Sequence, residues 1–223
     1  GYKTLLVDVD PQGNLSSWFM KEASQYELAD VLQGKCYYED AVVEIKAIPN
    51  LYLIPTFAIG GTLKLYSETK LSDEPFIIQD LVQSMNNDFD HIVLDLSPGL
   101  GRLERSALIA SDEVISPMTP EVFGLDGLEI FIEELNKLRK NLRSNLIHEK
   151  IIINSFDNRI KQHRDILTAA TDGKFDVYKI PVDPHFRKAQ EAGKAPQLFK
   201  IRGRGLKPAT AEAFEMLNQD IWS

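Results

Sequence analysis

Cysteine is nearly absent from the 223-residue chain, Cys36 being the only one. One thiol excludes an internal disulfide and any cysteine-built metal cluster within one chain. Histidine is sparse as well: His91, His148, His163 and His185 are scattered, and no pair has metal-ligand spacing. No apolar run approaches the ~18 residues that span a bilayer, and no signal-peptide pattern opens the sequence. A Gly-rich dinucleotide turn is lacking too. Gly99 and Gly101 follow Ser97-Pro98 without a third glycine, and the segment reads as a loop. The expectation is a cytoplasmic protein without membrane attachment.

Hydrophobic residues make up 43% and charged residues 26%, ordinary for a chain with a real core. The net charge of −8 taken alone argues against a nucleic-acid partner, but it is unevenly spread. Residues 1–150 hold 13 Lys and Arg against 24 Asp and Glu, whereas 159–207 hold 12 against 5, a local net of +7. An acidic protein with one basic segment can still bind a polyanion locally.

Short apolar runs alternate with amphipathic stretches along the whole chain. "YKTLLVDVD", "NLYLIPT", "FDHIVLDLSPG", "EVISPMTP", "KIIINSFD" and "FDVYKIPV" read as strands. "PFIIQDLVQSMNN", "RLERSALIASD", "LDGLEIFIEELNKLRKNLRSN", "IKQHRDILTAATD" and "ATAEAFEMLNQDIW" read as helices. Strands that are apolar without alternation, separated by helices, predict an α/β fold with a mostly parallel sheet covered on both faces. With no repeat, low-complexity tract or linker in view, a single domain over 1–223 is the economical expectation.

Two of these strands end in aspartate: "LLVDVDPQG" presents Asp8 and Asp10, and "HIVLDLSPG" presents Asp95. Parallel sheets bind ligands at the carboxyl ends of their strands. A buried carboxylate without a partner costs several kcal/mol, and a hard cation such as Mg²⁺ would remove that penalty. The form around Asp95 is that of a Walker B strand. Two other readings stand beside it: aspartates that cap the following turn, and an acidic residue holding a ribose, which leaves Asp95 unexplained.

In these residues the chain resembles the ParA/Soj-like family of chromosome- and plasmid-partition ATPases, of the deviant Walker A superfamily. "LLVDVDPQGNLSSWF" is similar to the family's Asp-x-Asp-Pro-Gln motif and "FDHIVLDLSPG" to its Walker B strand. "SPMTPEVFGLDGLEIF" matches the Pro-x-x-x-Glu segment, "IINSFDNR" the adenine-side strand, and "YKIPVDPHFRKAQEAGKAP" the Ile-Pro segment with its Gly-Lys continuation. The resemblance implies a P-loop NTPase-like fold that takes ATP and Mg²⁺. It implies a homodimer that binds double-stranded DNA without sequence preference, a nucleoid-associated cytoplasmic location, and a ParB-type centromere-binding partner that stimulates hydrolysis. Carried onto this chain, Asp10 would orient the attacking water, Asp8 would lie near the phosphate loop and metal, and Asp95 would hold Mg²⁺ through water. Asn154 would meet the adenine edge, with Pro181, Val182 and Asp183 completing the base pocket.

The family's Lys-Gly-Gly-x-Gly-Lys-Thr loop has no match in this sequence. We expect it upstream of Gly1, within roughly 30 further residues that carry a first strand, the loop and its helix. The alternative is a relative without the phosphate loop, acting as a non-catalytic DNA-binding or scaffolding module. A membrane-associated relative is disfavoured by the acidic end "EMLNQDIWS".

The basic segment "HFRKAQEAGKAPQLFKIRGRGLK" supplies Arg187, Lys188, Lys200, Arg202, Arg204 and Lys207 as candidate DNA contacts. A mobile, Gly-interrupted loop of this kind can follow a phosphate backbone, with binding that weakens steeply in salt. Its other reading is a solvated loop balancing an acidic body. Lys137, Arg139, Lys140 and Arg143 read as the solvated face of the long helix. Glu121 reads equally as an interface residue or a helix-start charge. Trp18, Phe19 and Trp222 read as packing residues.

Overall fold

The computed structural model describes residues 1–57, 61–71, 74–142, 145–173 and 175–221, with the side chains of 122–125 left aside; Arg143 and Trp222 lie outside the described residues. The chain divides into two compact units, Gly1–Ser111 and Asp112–Ser223.

In the first unit, β1 (Thr4–Asp8), β2 (Val43–Glu44), β3 (Leu51–Ile54) and β4 (His91–Asp95) form one sheet in the order β2-β3-β1-β4. β1 runs parallel to both neighbours, while β2 pairs with β3 antiparallel. The parallel register sets Val7 opposite Ile54 and Leu94, and Asp8 opposite Asp95. All three parallel strands therefore end on one edge of the sheet, where their following loops meet. Leu5, Val7, Val9, Leu53 and Ile54 are fully buried or nearly so, which explains why these strands read as continuous apolar runs.

Among the described residues, the helices that accompany this sheet are α1 (Asn14–Phe19), α2 (Leu28–Leu32), α3 (Tyr38–Ala41), α4 (Thr62–Thr69), α5 (Ile77–Met85) and α6 (Arg102–Ala110). Leu28, Leu63, Ile78, Met85 and Leu103 join the strand residues in one cluster. Each such side chain contributes about 1.5–3 kcal/mol by leaving water. Gly34, which follows α2, sits at φ 67, the left-handed conformation that glycine adopts without a Cβ penalty.

In the second unit, β5 (Glu113–Met118), β6 (Ile147–Phe156) and β7 (Asp176–Pro181) form a parallel sheet in the order β5-β6-β7. Its helices are α7 (Val122–Leu142), α8 (Lys161–Asp172), α9 (Pro184–Glu191) and α10 (Pro208–Ile221). Ile151, Ile153, Phe156, Ile166 and Ala170 form its core with Leu128. The Tyr178 hydroxyl donates to the Asp220 carboxylate and ties α10 to β7. Both sheets are mostly parallel with helices packed on them, the expected α/β class. Among the described residues no helix is long and apolar enough to cross a membrane.

Candidate functional site

The turn after β1 is built around its two aspartates. Asp8 is fully buried. Its Oδ2 accepts from the Ser16 backbone N–H at 2.8 Å and from the Ser16 hydroxyl at 2.5 Å. The Ser16 hydroxyl accepts in turn from the Thr56 N–H at 2.9 Å, and the Thr56 hydroxyl donates to the Asp8 carbonyl at 2.5 Å. This network stitches the ends of β1 and β3 to α1. The second oxygen, Asp8 Oδ1, is buried without a hydrogen-bond partner among the described residues. Burial pushes the Asp8 carboxyl up, the Ser16 donors pull it back, and the Asp10 charge adds to the rise; the net shift is upward.

Asp10 caps its own turn. Its Oδ1 accepts from the Gln12 N–H at 2.9 Å and its carbonyl from the Gly13 N–H at 2.9 Å, an arrangement typical of aspartate in turns. One β-strand away, the Asp95 carbonyl accepts from the Val9 N–H at 2.9 Å. The Asp95 carboxyl is pushed up to about 6, by loss of solvent first and then by the charges of Asp8 and Asp10. The structure thus brings Asp8, Asp10 and Asp95 into one electrostatic cluster at neighbouring strand ends.

A cavity of about 540 Å³ opens beside Asp10, lined also by Gln12, Lys64, Ser97, Arg102 and Glu104. Glu104 is 8% exposed and accepts from the Ser97 hydroxyl. A Cβ on Gly101 would lie 2.7 Å from Glu104 Oε2, so glycine there lets the loop after β4 close over this carboxylate. Ser16, Thr56 and Glu104 escape a reading of sequence alone. The available signal was weak: Ser16 lies eight residues after Asp8, and Glu104 lies in the first turn of α6.

The cluster suits a hard cation of a particular kind. Among the described residues, no group of three or more His, Cys, Asp or Glu could hold a metal ion unaided. Mg²⁺ does not require one: it retains waters and is held by one or two carboxylates together with phosphate oxygens. An unpartnered buried Asp8 Oδ1 and a raised Asp95 are what such an ion would relieve. Asp95 would hold it, with Asp8 behind.

The remaining candidates lie in the second unit. Asn154 is exposed near the end of β6, its Oδ1 accepting from the Ser155 N–H at 2.9 Å, and Ser155 takes a left-handed φ of 57. Phe156 pairs with Pro181, so Asn154 and Pro181 come from neighbouring strand ends. Val182 follows, 51% exposed. Asp183 is the N-cap of α9: Oδ1 accepts from the His185 N–H at 3.0 Å and Oδ2 from the Lys207 N–H at 2.9 Å. Burial works against its ionisation, but those donors prevail and hold its carboxyl below the usual range.

The basic segment is ordered by contacts rather than extended. Arg187 pairs with Glu191 at 3.0 Å, and Lys207 Nζ donates to the Val182 carbonyl at 2.9 Å. Lys188, Lys200, Arg202 and Arg204 are exposed. The expected Gly-interrupted loop contains a closed hairpin, with Ile201 bridged to Arg204.

Residues 1–148 match the model of a protein family described as an AAA domain. Over 223 aligned residues the chain is 31% identical to the chromosome-partitioning ATPase Soj of Treponema pallidum, spanning 99% of this chain and 85% of that protein. It is 31% identical over 211 residues to the sporulation initiation inhibitor protein Soj of Bacillus subtilis, spanning 92% and 82%. A solved putative plasmid partition protein from Borrelia burgdorferi, bound to AMPPNP, has the same fold, with a TM-score of 0.80 and 23% identity over 99% of this chain and 87% of that one.

Proposed function

The chain belongs to the ParA/Soj-like family of partition ATPases, and on that premise we propose that it is the core of an Mg²⁺-dependent ATPase whose ATP-bound homodimer holds duplex DNA and whose hydrolysis releases it. The observation that carries this reading is the convergence of Asp8, Asp10 and Asp95 at the adjacent ends of β1 and β4. The charges of Asp8 and Asp10 disfavour ionisation of Asp95, and a cation with a triphosphate reverses that cost.

Each residue has a distinct part. Asp10, with one oxygen fixed by the Gln12 N–H, has its second oxygen available to orient water for in-line attack on a γ-phosphate. Asp95 would hold Mg²⁺, and the ion when bound would neutralise charge on the phosphates. Asp8, tied to Ser16, fixes the path of the loop that carries Asp10. The Ser97–Glu104 contact fixes the loop after β4. In the second unit Asn154, Pro181 and Val182 are assigned to the adenine edge, with Asp183 supporting them as the α9 cap. Arg187, Lys188, Lys200, Arg202, Arg204 and Lys207 are assigned to DNA, and a ParB-type protein is assigned as the stimulating partner.

The test is ATP turnover and duplex binding by the full-length protein, wild type beside Asp10→Ala. The variant is expected to keep nucleotide and DNA binding and to lose turnover. Wild-type protein that binds DNA without hydrolysing ATP would instead support the non-catalytic module.

A further inference from the structure

Residues 201–204 close a two-residue β-hairpin. The Ile201 N–H donates to the Arg204 carbonyl at 2.8 Å, and the Arg204 N–H donates back at 2.9 Å. Arg202 and Gly203 occupy its tip at φ 49 and φ 78, both left-handed, as the turn that matches strand twist requires. A left-handed arginine costs roughly 1–2 kcal/mol. Gly203 faces open space. The tip therefore presents one long cation beside a residue with no side chain.

The base of the hairpin is clamped. His185 is 6% exposed, and its Nε2 lies 2.7 Å from the Phe199 carbonyl and 3.1 Å from the Pro196 carbonyl, so this nitrogen carries the proton and donates. On the far side Lys207 is bound to Asp183 and to the Val182 carbonyl. Among the described residues, no ion pair or side-chain hydrogen bond engages Lys200, Arg202 or Arg204. The result is a preorganised prong, with an unpaired arginine at its point and two further cations at its root.

We propose that this hairpin is a minor-groove prong: Arg202 enters the narrow minor groove of A-tract DNA while Arg204 and Lys200 meet the flanking phosphates. The inference rests on the DNA-binding reading above and adds to it a groove and a sequence bias. The minor groove is about 6 Å wide, closed to a helix but open to one guanidinium. Where A-tracts narrow it, its negative potential deepens and favours arginine. Arginine suits that place better than lysine because its guanidinium is the more weakly hydrated. Non-specific binding and a shape preference are compatible, since groove width is read without base-specific hydrogen bonds.

The experiment is fluorescence anisotropy of the full-length protein with ATP and Mg²⁺, using A-tract and GC duplexes of equal length over a salt series, with netropsin as a minor-groove competitor. Wild type is expected to bind the A-tract about fivefold tighter, and netropsin to erase that margin. Arg202→Lys keeps the charge and the salt slope but loses the preference. Arg202→Gly, which fits the left-handed turn and so preserves the hairpin, loses it too. Arg204→Ala lowers the salt slope by about 1 and keeps the preference. Equal affinity of wild type for both duplexes, or a preference that survives Arg202→Lys, overturns the prong while leaving DNA binding in place. Failure to bind any duplex, as would follow if the surface served an acidic protein, overturns the DNA reading and the prong together.

Discussion

Replacing Ser16 by alanine probes the scaffold of the acidic cluster. Ser16 is 1% exposed, and its hydroxyl sits between the Asp8 carboxylate at 2.5 Å and the Thr56 N–H at 2.9 Å. Ser16→Ala strips one of two hydrogen bonds from a buried carboxylate and orphans an amide on Thr56, itself 1% exposed. A hydrogen bond to a charged group is worth about 1.5–3 kcal/mol and an orphaned buried donor costs about 1–3. With partial relaxation the expected loss is about 3 kcal/mol. For a chain of this size that lowers Tm by about 6–12 °C. The loss also has a pH signature. The Ser16 donors hold the Asp8 carboxyl down against burial. Without the hydroxyl its folded pKa climbs further above the unfolded value, so more stability disappears as pH rises through it. Urea unfolding of wild type and Ser16→Ala at acidic and at mildly alkaline pH reads both effects. A loss below about 1 kcal/mol, or one identical at the two pH values, would refute the reasoning.

Asp183→Ala removes the α9 cap and the Lys207 tether; stability is expected to fall by about 1–2 kcal/mol and duplex affinity with it, whereas a fall in ATP affinity alone would assign Asp183 to the base. His148 is pushed down to about 4 by burial and then by Arg139, from 6.5. Its folded pKa lies below the unfolded one, so the stability it permits is complete above about pH 6.5 and drains as pH falls towards about 4. His148→Phe, set between Phe131 and Phe175, is expected to flatten the pH dependence of urea unfolding in that window. Gly101→Ala forces Glu104 away from Ser97 and is expected to slow turnover more than it weakens nucleotide binding, read as a split between kcat and KM.

The alternation of apolar runs and amphipathic stretches was enough to place the main strands and longer helices, because the strand runs are apolar at successive positions. The acidic strand tips were legible for the same reason: a carboxylate at the end of such a run must have an answer. What answers Asp8 was not legible, since Ser16 and Thr56 reach it only when α1 and the end of β3 fold back over β1. The short elements α3, β2, α4 and α9 carry too few residues to show a period. Asp183-Pro184 is a helix-start signature in its own right, and Asp183 stands as the N-cap of α9. The hairpin at 201–204 stayed hidden because arginine is an unusual residue for a left-handed turn, and Arg-Gly-Arg-Gly reads as a loop.

The most direct test of the central claim, that the tips of β1 and β4 form one magnesium–triphosphate site, is ATP affinity of the full-length protein with and without Mg²⁺, wild type against Asp95→Asn. Mg²⁺ is expected to tighten binding in the wild type, and Asp95→Asn to remove about tenfold of that gain while leaving metal-free binding unchanged. An Asp95→Asn protein with the full Mg²⁺ dependence of the wild type would contradict the account.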